Sequence, residues 1–133
     1  MFVERLINQG NAPLLEQWMK FTQARHRLIA ENVVNISTPG YQPKDLDENA
    51  FTAKLRERAD ARRSAPPGSL RFNDISGTAD EAQDGILFHD GQPRSMEQLM
   101  SDQAKNALMH NLVVELLRKQ FSSLEAALKE RVS

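Results

Sequence analysis

The 133-residue chain has no cysteine. Disulfides and thiolate metal sites are therefore excluded, and the composition suits any compartment, an oxidising one included. No charge of one sign dominates: 17 basic against 18 acidic residues leave a net charge of -1, which argues against a dedicated nucleic-acid binder. No apolar run approaches the roughly 20 residues that span a bilayer, so no direct membrane span is expected. The opening Met1-Phe2-Val3-Glu4-Arg5-Leu6-Ile7 lacks the basic, apolar and small-residue segments of a secretory signal peptide. If the protein leaves the cytoplasm, it is expected to do so by another route.

Catalytic chemistry is just as sparse. His26, His89 and His110 are the three histidines, and none stands in a metal-binding spacing with another. His26 and His110 fall on helical stripes, where a packed or seam role outweighs acid–base work. Ser37-Thr38 has no neighbouring base, and Gly85 and Gly91 do not open a phosphate-cradling loop. Arg56, Arg58, Arg62 and Arg63 are interleaved with Glu57 and Asp60, the pattern of a solvated helix face. No enzyme, cofactor or metal site is expected; an enzyme built on His26 or His110 ranks last among the readings.

What the chain does have is apolar periodicity at its two ends. Asn11 and Pro13 suit a helix N-terminus. From there Leu15, Met19, Thr22, His26, Ile29, Val33 and Ile36 recur at spacings of four and three, flanked by Leu14, Trp18, Phe21, Arg25, Leu28, Asn32 and Asn35. This predicts an amphipathic helix over about 12–36, roughly 37 Å long. Pro39-Gly40 ends it in a turn, type II if Gly40 takes the position that needs positive φ. Ser95 and Gln98 have capping-box spacing. Met96, Met100, Gln103, Ala107, His110, Val114, Leu117, Phe121, Leu124 and Leu128 then repeat every seven residues, which favours a coiled-coil seam. Leu99, Leu108, Leu112 and Leu116 widen that stripe toward a second partner. A helix over 95–131 would be roughly 55 Å long.

Between the ends, five of six prolines and five of six glycines lie in 37–94. Only Asp45 to about residue 62 reads as helix, with Asp45 and Glu48 at capping-box spacing before Phe51 and Leu55. Leu70, Phe72 and Ile75 alternate too briefly to define a strand, and Ile86-Leu87-Phe88 can pair locally. The expected fold is mainly α: two long terminal amphipathic helices forming an antiparallel hairpin or coiled coil around an irregular, partly disordered middle. The expected units are 1–41, 42–94 with a short helix near 46–62, and 95–133. The C-terminal helix is the longer, so part of its apolar seam would lie uncovered. The chain is expected to complete its core by assembly.

One segment matches more than a helix stop. Glu31-Asn32-Val33-Val34-Asn35-Ile36-Ser37-Thr38-Pro39-Gly40-Tyr41 resembles the Ala-Asn-x-Ala-Asn-x-x-Thr-Pro-Gly-Tyr motif of the bacterial flagellar rod and hook proteins. Both asparagines and the Thr-Pro-Gly-Tyr turn coincide; Glu31 and Val34 replace the usual alanines. The continuation Gln42-Pro43-Lys44-Asp45-Leu46-Asp47, then Phe51, is similar to that family's Lys-Ala-Arg-Asp-Val-Asp-Phe. In the tail, Asp90-Gly91 before a long helix and Leu116-Leu117-Arg118-Lys119-Gln120-Phe121-Ser122-Ser123-Leu124 are similar too. The resemblance covers roughly the two terminal helices and the turn, and 66–83 carries no motif.

The resemblance implies a structural subunit of the flagellar basal-body rod, exported by the flagellar type III apparatus without a cleaved signal and assembled in the periplasm. It further implies other rod subunits, the rod-base adaptor FliE, the export gate and the membrane-anchored ring protein as partners, along with self-association. The candidate assembly residues are Leu15, Met19, Ile29, Asn32, Asn35, Thr38, Pro39, Gly40, Tyr41, Val114, Leu117, Phe121, Leu124 and Leu128. The competing reading is a small helical adaptor or regulator that binds one partner through its C-terminal helix.

Overall fold

A computed structural model describes residues 10–66, 78–79, 87–89 and 95–132, and these are mainly helical. Helix α1 runs Ala12–Val34, with Pro13 in its first turn, where the missing N–H leaves no bond unmade. Asn11 stands at the N-cap position but its side chain makes no cap bond, because its dihedrals (φ -81°, ψ -1°) are helical where capping needs extended backbone. Its carbonyl instead accepts from Leu15 N at 3.0 Å.

The α1 C-terminus comes two residues before the expected Ile36. Asn35 Nδ2 donates to Glu31 O at 2.9 Å, on the same carbonyl that accepts Asn35 N at 3.0 Å. A side chain that competes for backbone acceptors in this way favours helix ends over interiors. The burial of α1 also differs from expectation. Ala12, Gln17, Phe21, Thr22, Ile29 and Asn32 are buried, while His26 and Ile36 are exposed. His26 is thus not packed: burial is centred on the flanking Phe21–Asn32 side, where neighbours other than the C-terminal helix press.

Those neighbours come from the middle of the chain. Strand β1, Lys44–Leu46, leads into helix α2, Glu48–Ser64. The cap of α2 is Asp47, whose carboxylate accepts from Asn49 N at 2.9 Å and Ala50 N at 3.2 Å; Asp45, the expected cap, is drawn away to α1. The helix stops at Ala65, extended at φ -69°, ψ 141°, as Pro66 requires of the residue before it. Strand β2, Leu87–His89, pairs antiparallel with β1, Asp45 opposite Phe88. The expected local pairing of Ile86-Leu87-Phe88 is therefore replaced by a long-range one for Leu87 and Phe88; Ile86, Leu70, Phe72 and Ile75 lie outside the described residues. The helix expected near 46–62 is present, and with β1 it supplies Leu46, Phe51 and Leu55 to a core with Phe21 and Ala79. Phe21 and Phe51 stack at 4.1 Å, and Trp18 meets Phe51 edge-on at 5.0 Å, geometries worth more than their buried area alone.

Helix α3, Met96–Val132, begins as the sequence indicates, with Ser95 Oγ accepting from Gln98 N at 3.2 Å. Its buried residues are Leu99, Asn106, Val113 and Leu117. Leu99, Asn106 and Val113 keep a seven-residue period one residue ahead of the expected Met100, Ala107 and Val114, while Leu117 is buried as expected; Met96, Met100 and Phe121 are exposed. Opposite α3 stands the other side of α1, where Ala12, with Leu15, Trp18 and Met19 around it, packs on Val113, Leu117 and Met109. Trp18 touches both clusters.

Removing the central ring, Phe51→Ala, is expected to cost about 3–5 kcal/mol. Urea unfolding followed by the fluorescence of Trp18, the single tryptophan, reads this directly. Met96→Ala, at an exposed position, should stay within about 0.5 kcal/mol of the parent.

Candidate assembly interface

The turn after α1 is held by its own motif. Gly40 has φ 76° and Tyr41 N donates to Thr38 O at 3.2 Å, which makes Thr38–Tyr41 the type II turn that Pro39-Gly40 predicts. A side chain at Gly40 would meet no neighbour, so the positive φ alone calls for glycine there. Thr38 Oγ1 donates to Asn35 Oδ1 at 3.3 Å, and Thr38 N donates to Asn35 O at 2.9 Å. Asn32, buried in α1, closes the loop. Its Nδ2 donates to Lys44 O at 2.7 Å, while its Oδ1 accepts from Lys44 N and from Tyr41 Oη, both at 3.0 Å. One amide thus substitutes for a strand partner along Lys44 and fixes the phenol of Tyr41.

Beyond this joint, β1 sets Asp45 against Arg25. The guanidinium donates to Asp45 through Nε at 3.0 Å and Nη2 at 3.3 Å, and to Glu48 Oε2 through Nη1 at 3.0 Å. Burial works to lower the Arg25 pKa, but the Asp45 hydrogen bond and the charges of Asp45, Glu48 and Asp102 outweigh it and raise the value overall. Asp45 Oδ1 also accepts from Leu46 N at 2.8 Å. Bidentate geometry with an added backbone donor is what lets a carboxylate lie this deep.

A second set of polar contacts ties α1 to α3. Asn106 Nδ2 donates to Thr22 O at 2.8 Å, and Thr22 Oγ1 lies 2.8 Å from His110 Nδ1. The hydroxyl has one proton and gives it to Met19 O at 2.9 Å, so Nδ1 of His110 carries the hydrogen between them. Gln17 Oε1 accepts from Ala79 N at 3.0 Å, and Arg58 Nη1 donates to Thr78 Oγ1 at 2.7 Å. Arg58 is thus the exception to the solvated face expected of the basic run. Among the described residues no buried side-chain polar atom lacks a partner.

These contacts sort the candidate residues. Ile29, Asn32 and Leu117 are buried within the chain, and Leu15, Met19, Asn35, Tyr41, Val114 and Leu124 are half-buried. Thr38, Pro39, Gly40, Phe121 and Leu128 are exposed. Sequence reasoning missed Arg25–Asp45, Gln17 and Asn106, all polar residues whose burial no apolar pattern reports. Besides Val34 and Ile36 at the end of α1, the apolar surface left open is on α3, including Leu108 at 72% exposure, Leu112 at 53%, Leu116 and Phe121. Leu108, Leu112 and Leu116, four apart, form one row that starts opposite the buried face at Leu108 and winds toward it, Leu116 lining an open groove with Leu15. Among the described residues, no helix is long and apolar enough to cross a membrane, and no group of three or more His, Cys, Asp or Glu could hold a metal ion. No family model, curated protein or solved structure matches the chain.

The joint makes its own prediction. Burial, then the Glu31 charge, raises the pKa of the Tyr41 phenol. Its stabilising contribution is therefore complete below the ordinary value of about 10 and is lost as pH rises through the raised one. Tyr41 is the single tyrosine, so tyrosinate absorbance titrates it alone. The midpoint should lie above that of the urea-unfolded chain, and Asn32→Ala should lower it. Asn32→Ala should also destabilise the fold by about 1–3 kcal/mol, since it strands both polar groups of Lys44.

Proposed function

We propose that this chain is a structural subunit of the bacterial flagellar basal-body rod, at the proximal position occupied by proteins called FlgB. The observation that supports it most is the joint. The residues that resemble the rod and hook motif, Asn32, Asn35, Thr38, Pro39, Gly40 and Tyr41, form one bonded turn at the end of a long terminal helix. In this reading α1 and α3 form an antiparallel hairpin with coiled-coil packing, with Ala12 beside Val113 and Leu117 and Thr22 beside Asn106 and His110. The apolar row of α3 is then closed by neighbouring subunits.

The mechanism is mechanical rather than catalytic. Terminal helices of successive subunits pack into a hollow tube that carries motor torque, and the subunit reaches the periplasm through the flagellar export gate without a cleaved signal. Its neighbours are other rod subunits, FliE and the membrane-anchored ring protein. An exposed row such as Leu108, Leu112 and Leu116 also suits an adaptor that binds one helix, and sedimentation separates the two. Rod subunits should show open-ended, concentration-dependent association, whereas a closed, concentration-independent dimer supports the adaptor.

The experiment is complementation of swimming in the source bacterium. Phe121→Asp and Leu112→Asp change exposed positions, so each should leave the helicity of the purified chain intact and abolish swimming, because a charge in a desolvated interface is poorly tolerated. Leu117→Asp, buried against Ala12, should instead unfold the chain by several kcal/mol. Normal swimming in both exposed-site variants counts against the rod assignment.

A further inference from the structure

Where α1, the first turn of α2 and α3 meet, the packing leaves a cavity of about 310 Å³, at the small end of the roughly 300–1,000 Å³ that small-molecule sites occupy. All three helices contribute to its wall, through both apolar and charged side chains. We propose that this cavity binds a small organic cation, a primary ammonium or guanidinium head on a short apolar shank. The assignment does not depend on the rod reading, and its failure would leave that reading where it stands.

Three observations select that occupant. The first is an unfilled acceptor. Asn106 lines the cavity although only 3% of it is exposed; its Nδ2 donates to Thr22 O at 2.8 Å, and its Oδ1 accepts from no described residue. Every buried side-chain polar atom of the described residues is paired, so this oxygen stays open to the cavity, and a carboxamide oxygen can only accept. It calls for a donor. The second is charge. Arg25, Glu48, Asp102 and Lys105 stand around the cavity, but Arg25 is already matched by Asp45, itself buried. Among the described residues the lining therefore keeps a net negative charge, which suits a cation and works against an anion. The third is the rest of the wall. Trp18, Phe21 and Met109 offer an apolar surface to a shank and aromatic rings to a positive head.

Titration of the full chain tests the proposal, because Trp18, the single tryptophan, lines the cavity and reports on it by fluorescence. In ¹⁵N-labelled protein at low ionic strength, n-butylammonium should shift the Trp18 emission and the Asn106 carboxamide resonance together, with one saturable midpoint in the mM range or below. Butyrate, with a similar shank and the opposite charge, should move neither. Lys105→Gln removes a cation from the lining at an exposed position, so the fold is kept and butylammonium should bind several-fold more tightly. No saturable shift with butylammonium, a Trp18 response without the Asn106 one, or saturation by butyrate overturns the proposal. Unchanged or weakened affinity in Lys105→Gln overturns it as well.

Discussion

Helix α1 has to bury two sides at once, and the arrangement of the described chain follows from that constraint. One side packs on α3 through Ala12, Leu15 and Met19, the other on α2 and β1 through Phe21, with Trp18 common to both. A helix enclosed on so wide an arc needs more apolar positions than a 3.6-residue repeat on a single stripe provides. The positions at the margins are therefore polar residues that were buried anyway: Gln17, Thr22 and Asn32. Each is admitted because a specific group from another element satisfies it, Ala79 N for Gln17, Asn106 and His110 for Thr22, Lys44 and Tyr41 for Asn32. Such bonds contribute modestly when made and cost more when broken. They fix which neighbour lies on which side more than they add to total stability.

Local signals in the sequence were reliable wherever a single residue type dictates backbone. Pro39-Gly40 gave the turn and its type, Pro13 and Ser95 gave helix starts, and the helical spacing of Phe51 and Leu55 gave the core face of α2. The reading slipped where two candidates compete for one role. Asp45 and Asp47 can both cap α2, and only the presence of Arg25 across the chain decides that Asp45 makes the ion pair while Asp47 caps. The same holds for the phase of α3. Its seven-residue repeat is legible, but Val113 and Val114 are equivalent to any pattern count, and the choice falls to Val113 because Asn106, seven residues earlier, reaches the Thr22 carbonyl. The β1–β2 pairing was illegible for a related reason: strands this short have no periodicity, and their partner lies over forty residues away.

The motif at the end of α1 separates into two kinds of residue. Asn32 and Tyr41 hold one another and Lys44, and Asn35 and Thr38 bond each other and the end of the helix, so their identities are accounted for by the fold of one chain. Pro39 and Gly40 are exposed and make the turn by backbone geometry. A motif explained within the subunit specifies how the chain turns, and it is silent on what the subunit touches.

That second question rests on surface the fold leaves uncovered, and here the unequal lengths of α1 and α3 matter. α3 has 37 residues and α1 has 23, so the shorter helix cannot cover the longer one whatever the quality of their packing. Leu108 and Leu112 lie far around the helix from Leu99, Asn106 and Val113, whereas Phe121, four residues past Leu117, is uncovered because α3 runs on beyond the start of α1. Clustered apolar surface of this kind marks contact with another surface. The open surface also differs along α3: past Leu117 the intrachain seam continues into a groove lined by Leu15, Leu116, Gln120 and Leu124, while Leu108 and Leu112 stand on the side of α3 turned away from that seam. The two surfaces are separable by mutation for that reason, because a charge at Leu112 leaves the groove untouched.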